Sequence, residues 1–256
     1  MNNDSISEEK DITSQRFFMT LSYDGTRYHG WQIQPNGDSV QERLEHALTL
    51  LLRQPTGVVG AGRTDAGVHA RQMVAHFDTT VAIDCPQMVY KLNRLLPYDI
   101  SVSGIEPVDK DMHARFSATE RTYHYYVHTA KNPFCRAYSC ELHYPLDFEL
   151  MNEAANMLLE YEDFGAFCKS NSDVKTTLCH VVRARWHQTG PTEWFFEISA
   201  NRFLRNMVRA VVGTLVDVGR HRLSLEGFRQ VIEHGKRTGA GESMPGHALF
   251  LEEVKY

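Results

Sequence analysis

The chain lacks any long uninterrupted apolar run. Nowhere among its 256 residues do hydrophobic side chains approach the roughly 20 consecutive positions that a membrane-spanning helix needs. Cysteine is scarce too. The five present (Cys85, Cys135, Cys140, Cys168 and Cys179) form no C-x-x-C pair, and an odd number spread along a long chain makes a poor disulfide framework. Reduced, partly buried thiols are expected, and the thirteen histidines find no cysteine at zinc-ligand spacing. No stretch rich in proline, glycine or serine divides the chain, so any two halves are expected to share one sheet. Net positive charge is also missing. The 27 Lys and Arg face 32 Asp and Glu, giving −5, which taken alone argues against a nucleic-acid partner. The opening residues, MNNDSISEEKDI, are polar and mostly acidic, unlike a secretory signal or a transit peptide. Residues 1–14 are therefore expected to be a loose tail, and the cytoplasm is the expected address.

What is present is ordinary in bulk but uneven along the chain. Hydrophobic residues make up 42% and charged residues 23%, the composition of a soluble globular protein. From His180 to Thr238 there are ten Lys and Arg against five Asp and Glu, so that segment carries +5 and the remainder −10. Such asymmetry fits a basic face on an acidic body, and on charge alone it fits a solvated surface equally well.

Periodicity predicts a mixed architecture. Arg16–Tyr23 is β-prone and ends at the Asp24-Gly25 turn. Ser39, with Glu42 three residues on, is a capping box that opens a helix burying Val40, Leu44, Ala47, Leu48, Leu51 and Leu52. Short strands over Gly57–Ala61 and Gln72–Phe77 flank a glycine-punctuated loop. Asp84 and Pro86 open a second helix that Pro97 stops, and Ile100–Ile105 alternates like a strand. Beyond residue 112 a similar order follows. Tyr123–Thr129 is a strand, Asp147–Glu160 a helix, and Val181–Trp186 pairs with Trp194–Ala200 around Gly190-Pro191. Arg202–Val218 and Leu225–Glu233 are predicted helices, and Ala248–Val254 a closing strand. The expected class is α+β, with halves over 15–112 and 113–256 sharing a mostly antiparallel sheet on which helices pack.

The stretch Gly60-Ala61-Gly62-Arg63-Thr64-Asp65-Ala66-Gly67-Val68-His69 stands out. Three glycines bracket an Arg-Thr-Asp core between two predicted strands. Glycine lets a ligand approach the main chain, and a guanidinium beside a carboxylate keeps it ionised in a secluded site. A plain structural turn is the bland alternative. Two nucleotide-binding readings fit poorly. Gly57-x4-Gly62-Arg63-Thr64 matches a P-loop except that arginine replaces the lysine, and an acid and a glycine follow where a helix must begin. A dinucleotide fingerprint fails because Asp65 stands where its third glycine belongs.

GAGRTDAGVHA, centred on Asp65, resembles the signature of the tRNA pseudouridine synthase A family. Four further blocks agree in order and spacing: Tyr23–Gln32 (YDGTRYHGWQ), Ser39–Glu42, His113–Thr119 leading to Arg121-Thr122-Tyr123, and Asn206–Arg209 with Val212-Gly213. The resemblance runs from about Phe17 to Tyr256. It implies the pseudouridine synthase fold, with Asp65 as the catalytic aspartate and Arg209 as its basic partner. It further implies that Tyr123 lies against the target base and that Arg63 helps hold the uridine out of the RNA stack. The implied reaction isomerises uridine to pseudouridine at positions 38, 39 and 40 of the tRNA anticodon stem-loop. The implied partners are tRNA and a second copy of the chain, with no membrane and no cofactor, because bonds break and re-form within one nucleoside. Without the resemblance, Arg209 reads as a surface arginine and Tyr123 as a half-buried strand tyrosine. Trp31 and Tyr28 read as packing residues, and His69 and His113 as structural histidines. Arg205 and Arg209 are four apart on the predicted helix and share a face, with Arg209 suited to grip the carboxylate as a fork. Ala70-Arg71 and Cys168–Asn171 depart from the family pattern and bear on RNA contacts rather than on chemistry. A non-catalytic RNA-binding protein and an NTPase remain the competing classes.

Overall fold

Apolar runs closed by Gly, Pro or Asp turns become strands, and the periodic segments between them become helices. The computed structural model describes residues 14–35, 37–169 and 174–256. Of the expected tail only Ser14 is among them, and Ser170 and Asn171 fall outside.

Local sequence accounts for the helix starts. Helix α1 (Val40–Leu52) begins where the Ser39 hydroxyl accepts the Glu42 N–H at 3.3 Å, and it buries Val40, Leu44, Ala47, Leu48 and Leu52. Helix α2 (Cys85–Leu95) begins where Asp84 accepts the Gln87 N–H at 2.9 Å. Asp147 and Ser224 cap α3 (Phe148–Met157) and α5 (Leu225–His234) in the same way. Helix α4 (Met207–Gly219) differs, and its start corrects the sequence expectation. Asn206 stands at φ 67°, a left-handed conformation that cannot continue a helix, so residues 202–206 are not helical and Arg205 lies off the helix that carries Arg209.

The strands are β1 (Gln15–Tyr23), β2 (Val59–Gly60), β3 (His69–Thr79), β4 (Ile100–Val108), β5 (Glu120–His128), β6 (Cys140–Glu141), β7 (Val181–Gly190), β8 (Glu193–Ala200) and β9 (Leu249–Lys255). They form one sheet in the order β4-β1-β3-β9-β5-β8-β7, with β2 beside β3 and β6 beside β5. The pairings are antiparallel except β5–β6 and β3–β9. The fold is thus α+β with a largely antiparallel sheet, as the element pattern predicts.

The β3–β9 seam positions the site. Only His69 and Ala70 of the eleven residues in β3 pair with β9, at Phe250 and Leu251, so the two strands part after a short ladder. The glycine loop enters the sheet at this seam. On the far side of β9, Tyr123 pairs with Leu251 and Ile198, so these three side chains share one face of the sheet. Helix α3 packs on β7, with the Phe148 ring 5.5 Å from the Trp186 ring and the Trp186 backbone N–H donating to Asn152 Oδ1 at 2.7 Å. Helix α4 packs on α3 and α5 and buries eleven of its thirteen residues; Arg209 and Asp217 are the two left partly open.

Candidate active site

The loop ahead of β3 is held mainly by its backbone, with the Thr64 side chain as one further tie. The Thr64 carbonyl accepts the Trp31 N–H at 3.2 Å, and the Gly67 N–H donates to the Tyr28 carbonyl at 3.3 Å. The Val68 N–H closes a tight turn onto the Asp65 carbonyl at 3.1 Å. Thr64 shares a 2.9 Å hydrogen bond with the buried Tyr23 hydroxyl. Gly30 permits this docking: at φ 96°, a Cβ there would stand 2.3 Å from the Thr64 carbonyl oxygen. The segment YDGTRYHGW is therefore the cradle on which the Asp65 turn rests, which gives the first sequence block a physical role.

The far end of the loop is tied by His69, which is buried with both ring nitrogens engaged. Its Nδ1 accepts the Gly25 N–H at 3.0 Å, and its Nε2 lies 3.0 Å from the His247 carbonyl. Burial pulls the His69 pKa down, against the pull of the nearby Asp24 carboxylate. His113 accepts the Arg115 and Phe116 N–H groups at Nδ1, and Trp31 and Tyr28 are buried.

Asp65 and Arg209 stand 144 residues apart in sequence and meet through Arg209 Nη1 and Asp65 Oδ2 at 3.2 Å. Their side chains are 29% and 22% exposed, so the pair is open to a ligand on one side and closed on the other. Its geometry differs from the expected fork. Arg209 Nε is taken by the Met244 carbonyl, at 2.5 Å, and the Met244 N–H returns a bond to the Arg209 carbonyl at 3.1 Å. One terminal nitrogen reaches the carboxylate at a distance longer than a tight charge-assisted bond. Asp65 Oδ1 makes no hydrogen bond among the described residues, so one carboxylate oxygen remains uncommitted.

Tyr123 on β5 is almost fully buried, with Phe203 edge-on at 5.1 Å and 87°. Burial pushes its phenol up to about 12; the Arg121 charge opposes this, and the Asp65 carboxylate adds to it. Tyr123 is thus a neutral, largely apolar ring within the field of Asp65. Its hydroxyl makes no hydrogen bond among the described residues. Arg63, in contrast, is exposed and makes no ion pair or hydrogen bond among them, so no contact joins it to the Asp65–Arg209 pair.

Sequence reasoning missed three groups. The Met244 carbonyl orients Arg209, but a backbone oxygen leaves no mark in residue identity. Phe203 walls Tyr123, yet it lies in a stretch predicted as helix. Arg121 was visible in the Arg121-Thr122-Tyr123 block, without a sign of what it binds. No cluster of His, Cys, Asp or Glu suited to hold a metal ion occurs among the described residues. No helix among them is long and apolar enough to cross a membrane.

The arrangement is a carboxylate with one oxygen free among the described residues, held by a fixed guanidinium, with the buried Tyr123 ring within reach of its charge. Such a carboxylate can stabilise or capture a developing cation at a sugar carbon. Comparison with known proteins identifies the family. A family profile described as tRNA pseudouridine synthase matches residues 19–117 and 154–256. The tRNA pseudouridine synthase A of Bacteroides thetaiotaomicron is 58% identical over 244 residues, covering 94% of this chain and 91% of that protein. The enzyme of the same name from Bacteroides fragilis is 57% identical, covering 96% and 98%. Its namesake from Bacillus subtilis is 40% identical, covering 94% and 99%. With the profile spanning most of the chain and relatives of this identity along nearly all of it, the chain belongs to the tRNA pseudouridine synthase family.

Proposed function

We propose that the protein isomerises uridine to pseudouridine at positions 38, 39 and 40 of the tRNA anticodon stem-loop, with Asp65 as the acting carboxylate. The observation that carries this reading is the free oxygen of Asp65 beside the fixed Arg209 guanidinium. In the reaction the N1–C1′ bond breaks with its electron pair going to N1, the base turns, and a C5–C1′ bond forms as C5 gives up its proton and N1 gains one. An anionic Asp65 serves this in two ways. It captures C1′ as an ester that the returning base displaces, or it takes the C2′ proton to give a glycal and returns that proton to C2′ as the base adds at C1′. Arg209 holds the anion in place under either route, because a partly buried carboxylate needs a fixed positive partner.

Tyr123 offers a flat face to the extruded uracil, replacing stacking lost from the RNA. Arg63, exposed and unpaired among the described residues, is the group free to reach into the space the uridine leaves. In this reading residues 15–112 supply the Asp65 side of the site and residues 113–256 supply Tyr123 and Arg209. The family likeness supports a homodimer working in the cytoplasm, where its tRNA substrates are found. A non-catalytic RNA binder gains nothing from a carboxylate in its glycine loop, and a P-loop NTPase lacks its lysine at Arg63.

Nucleoside analysis of tRNA after incubation with purified protein tests the reading. Wild-type protein forms pseudouridine, and Asp65→Asn, which is isosteric but uncharged, folds and binds tRNA without forming it. Arg209→Lys lowers turnover about 100-fold, as expected for loss of one preorganised charged donor, because an ammonium cannot hold Met244 and Asp65 together. Normal turnover by Asp65→Asn overturns the assignment.

A further inference from the structure

Arg121 is a buried cation with no acidic partner among the described residues. Its side chain is nearly inaccessible, and every partner of its guanidinium among the described residues is a backbone carbonyl. One terminal nitrogen donates to Ala118 at 2.9 Å and Asn201 at 2.7 Å; the other donates to Ala61 at 3.0 Å and Arg115 at 2.5 Å. Carbonyls satisfy the donors but do not cancel the charge. Burial lowers the Arg121 pKa; the Tyr256 and Tyr123 phenols oppose this, and the Arg115 and Arg202 charges add to it.

The carbonyls that Arg121 gathers come from three chain segments that bring further arginines to one place. Arg115 gives its own carbonyl, Asn201 is followed by Arg202, and Ala61 leads to Arg63. Arg115 is exposed and Arg202 half-buried, and neither pairs with an acid among the described residues. Arg202 has one weak bond, to the Thr176 carbonyl at 3.4 Å. Beside them Phe116 stands 78% exposed, with the Arg115 guanidinium 5.7 Å from its ring. An exposed phenylalanine beside a guanidinium without an acid partner among the described residues is well suited to a ligand with anionic groups and flat rings. A buried positive charge beneath the patch raises its potential without being screened by solvent.

We infer that Arg115 and Arg202, whose backbone segments the Arg121 guanidinium ties together, form a subsite for phosphate groups of unpaired RNA, with Phe116 as a stacking face for a base. This subsite is distinct from the Asp65–Arg209 pair. It rests on the reading of the substrate as RNA, and it names where the strand flanking the reacting nucleotide is held.

Equilibrium binding of an unmodified tRNA transcript to the full chain, over a series of salt concentrations, tests it. Each lost phosphate contact to unpaired RNA flattens the slope of log K against log salt by about 0.7. The double variant Arg115→Ala/Arg202→Ala is expected to bind more weakly, with a slope flatter by about 1.4. If that protein fails to fold, Arg115→Gln alone, at an exposed position, gives half the change. Phe116→Ala weakens binding with the slope unchanged, since stacking carries no counterions. Arg94→Ala, at an exposed arginine on α2, leaves the slope as in wild type. An unchanged slope in the folded Arg115 variants, or equal flattening by Arg94→Ala, overturns the inference. Turnover by Asp65→Asn would remove the proposed reaction and leave these slopes standing, so the two readings fail separately.

Discussion

At the scale of single residues, the site depends on how one guanidinium is shared. Arg209 spends Nε on a backbone carbonyl and one terminal nitrogen on Asp65, so its orientation comes from the main chain rather than from the carboxylate it serves. A histidine outside this pair sets an acid limit on the fold. His76 is buried and accepts the Ala114 N–H at Nδ1 at 3.1 Å, a bond that exists only while that nitrogen is unprotonated. Burial, then the Arg16 and His113 charges, lowers its pKa to about 4. The ordinary unfolded value is about 6.5, so between these limits the unfolded chain binds the extra proton. Stability is therefore full above the unfolded value and is lost as pH falls toward about 4. The urea midpoint should drop across this window, and His76→Gln should drop less steeply. Equal pH profiles for the two proteins would remove His76 from this role.

Elements come next, and α4 is the one whose placement matters most. Its interior is apolar enough to be predicted as helix, and Arg209 is one of its two partly open positions. What the helix meets was hidden. Gly213 lets the segment 241–244 lie against it, for a Cβ there would stand 1.8 Å from the Glu242 carbonyl oxygen. The Gly241 N–H bonds to Thr214 Oγ1 at 2.9 Å, and three residues on the same strip offers the Met244 carbonyl to Arg209. Gly213→Ala should lift this strip. It is expected to cost about 2 kcal/mol of stability, as overpacking does, and to lower turnover further at temperatures where the variant is still folded. Denaturant melts and initial rates, measured together, separate the two effects. Most helix and strand positions were readable from caps and periodicity, with Ser39, Asp84 and the Gly190-Pro191 turn as the plain cases. The early start assigned to α4 was an error of the same method, because apolar content around Phe203 and Leu204 masks the left-handed turn at Asn206. The two-residue strand β6 offers too few positions to show any period.

Across the whole molecule, the early and late parts of the chain are joined at a narrow seam by many unlike contacts. β3 and β9 share two residue pairs, yet Arg121 reaches Ala61, His69 reaches His247, and Gln72 Oε1 accepts the Val254 N–H at 3.3 Å. The Tyr256 ring lies 4.9 Å from Phe18. Such a joint should unfold as one unit. Trp31 lies on one side, Trp186 and Trp194 on the other. Urea transitions followed by far-UV circular dichroism and by tryptophan fluorescence should coincide, in wild type and in Trp31→Phe alike. Separate midpoints would mean that the halves melt independently.

The sequence by itself determined the element types, the mixed class, the loop with its aspartate and the family to which the chain belongs. Those are properties of short segments, carried by caps, turns, periodicity and motif order. Only the tertiary structure decided that Arg209 meets Asp65 through a single nitrogen, that Met244 orients it, and that Arg121 gathers carbonyls from three chain segments with no acidic partner among the described residues. Each of these depends on atoms far apart in the chain, or on backbone oxygens common to every residue. Residue identity carries no record of them.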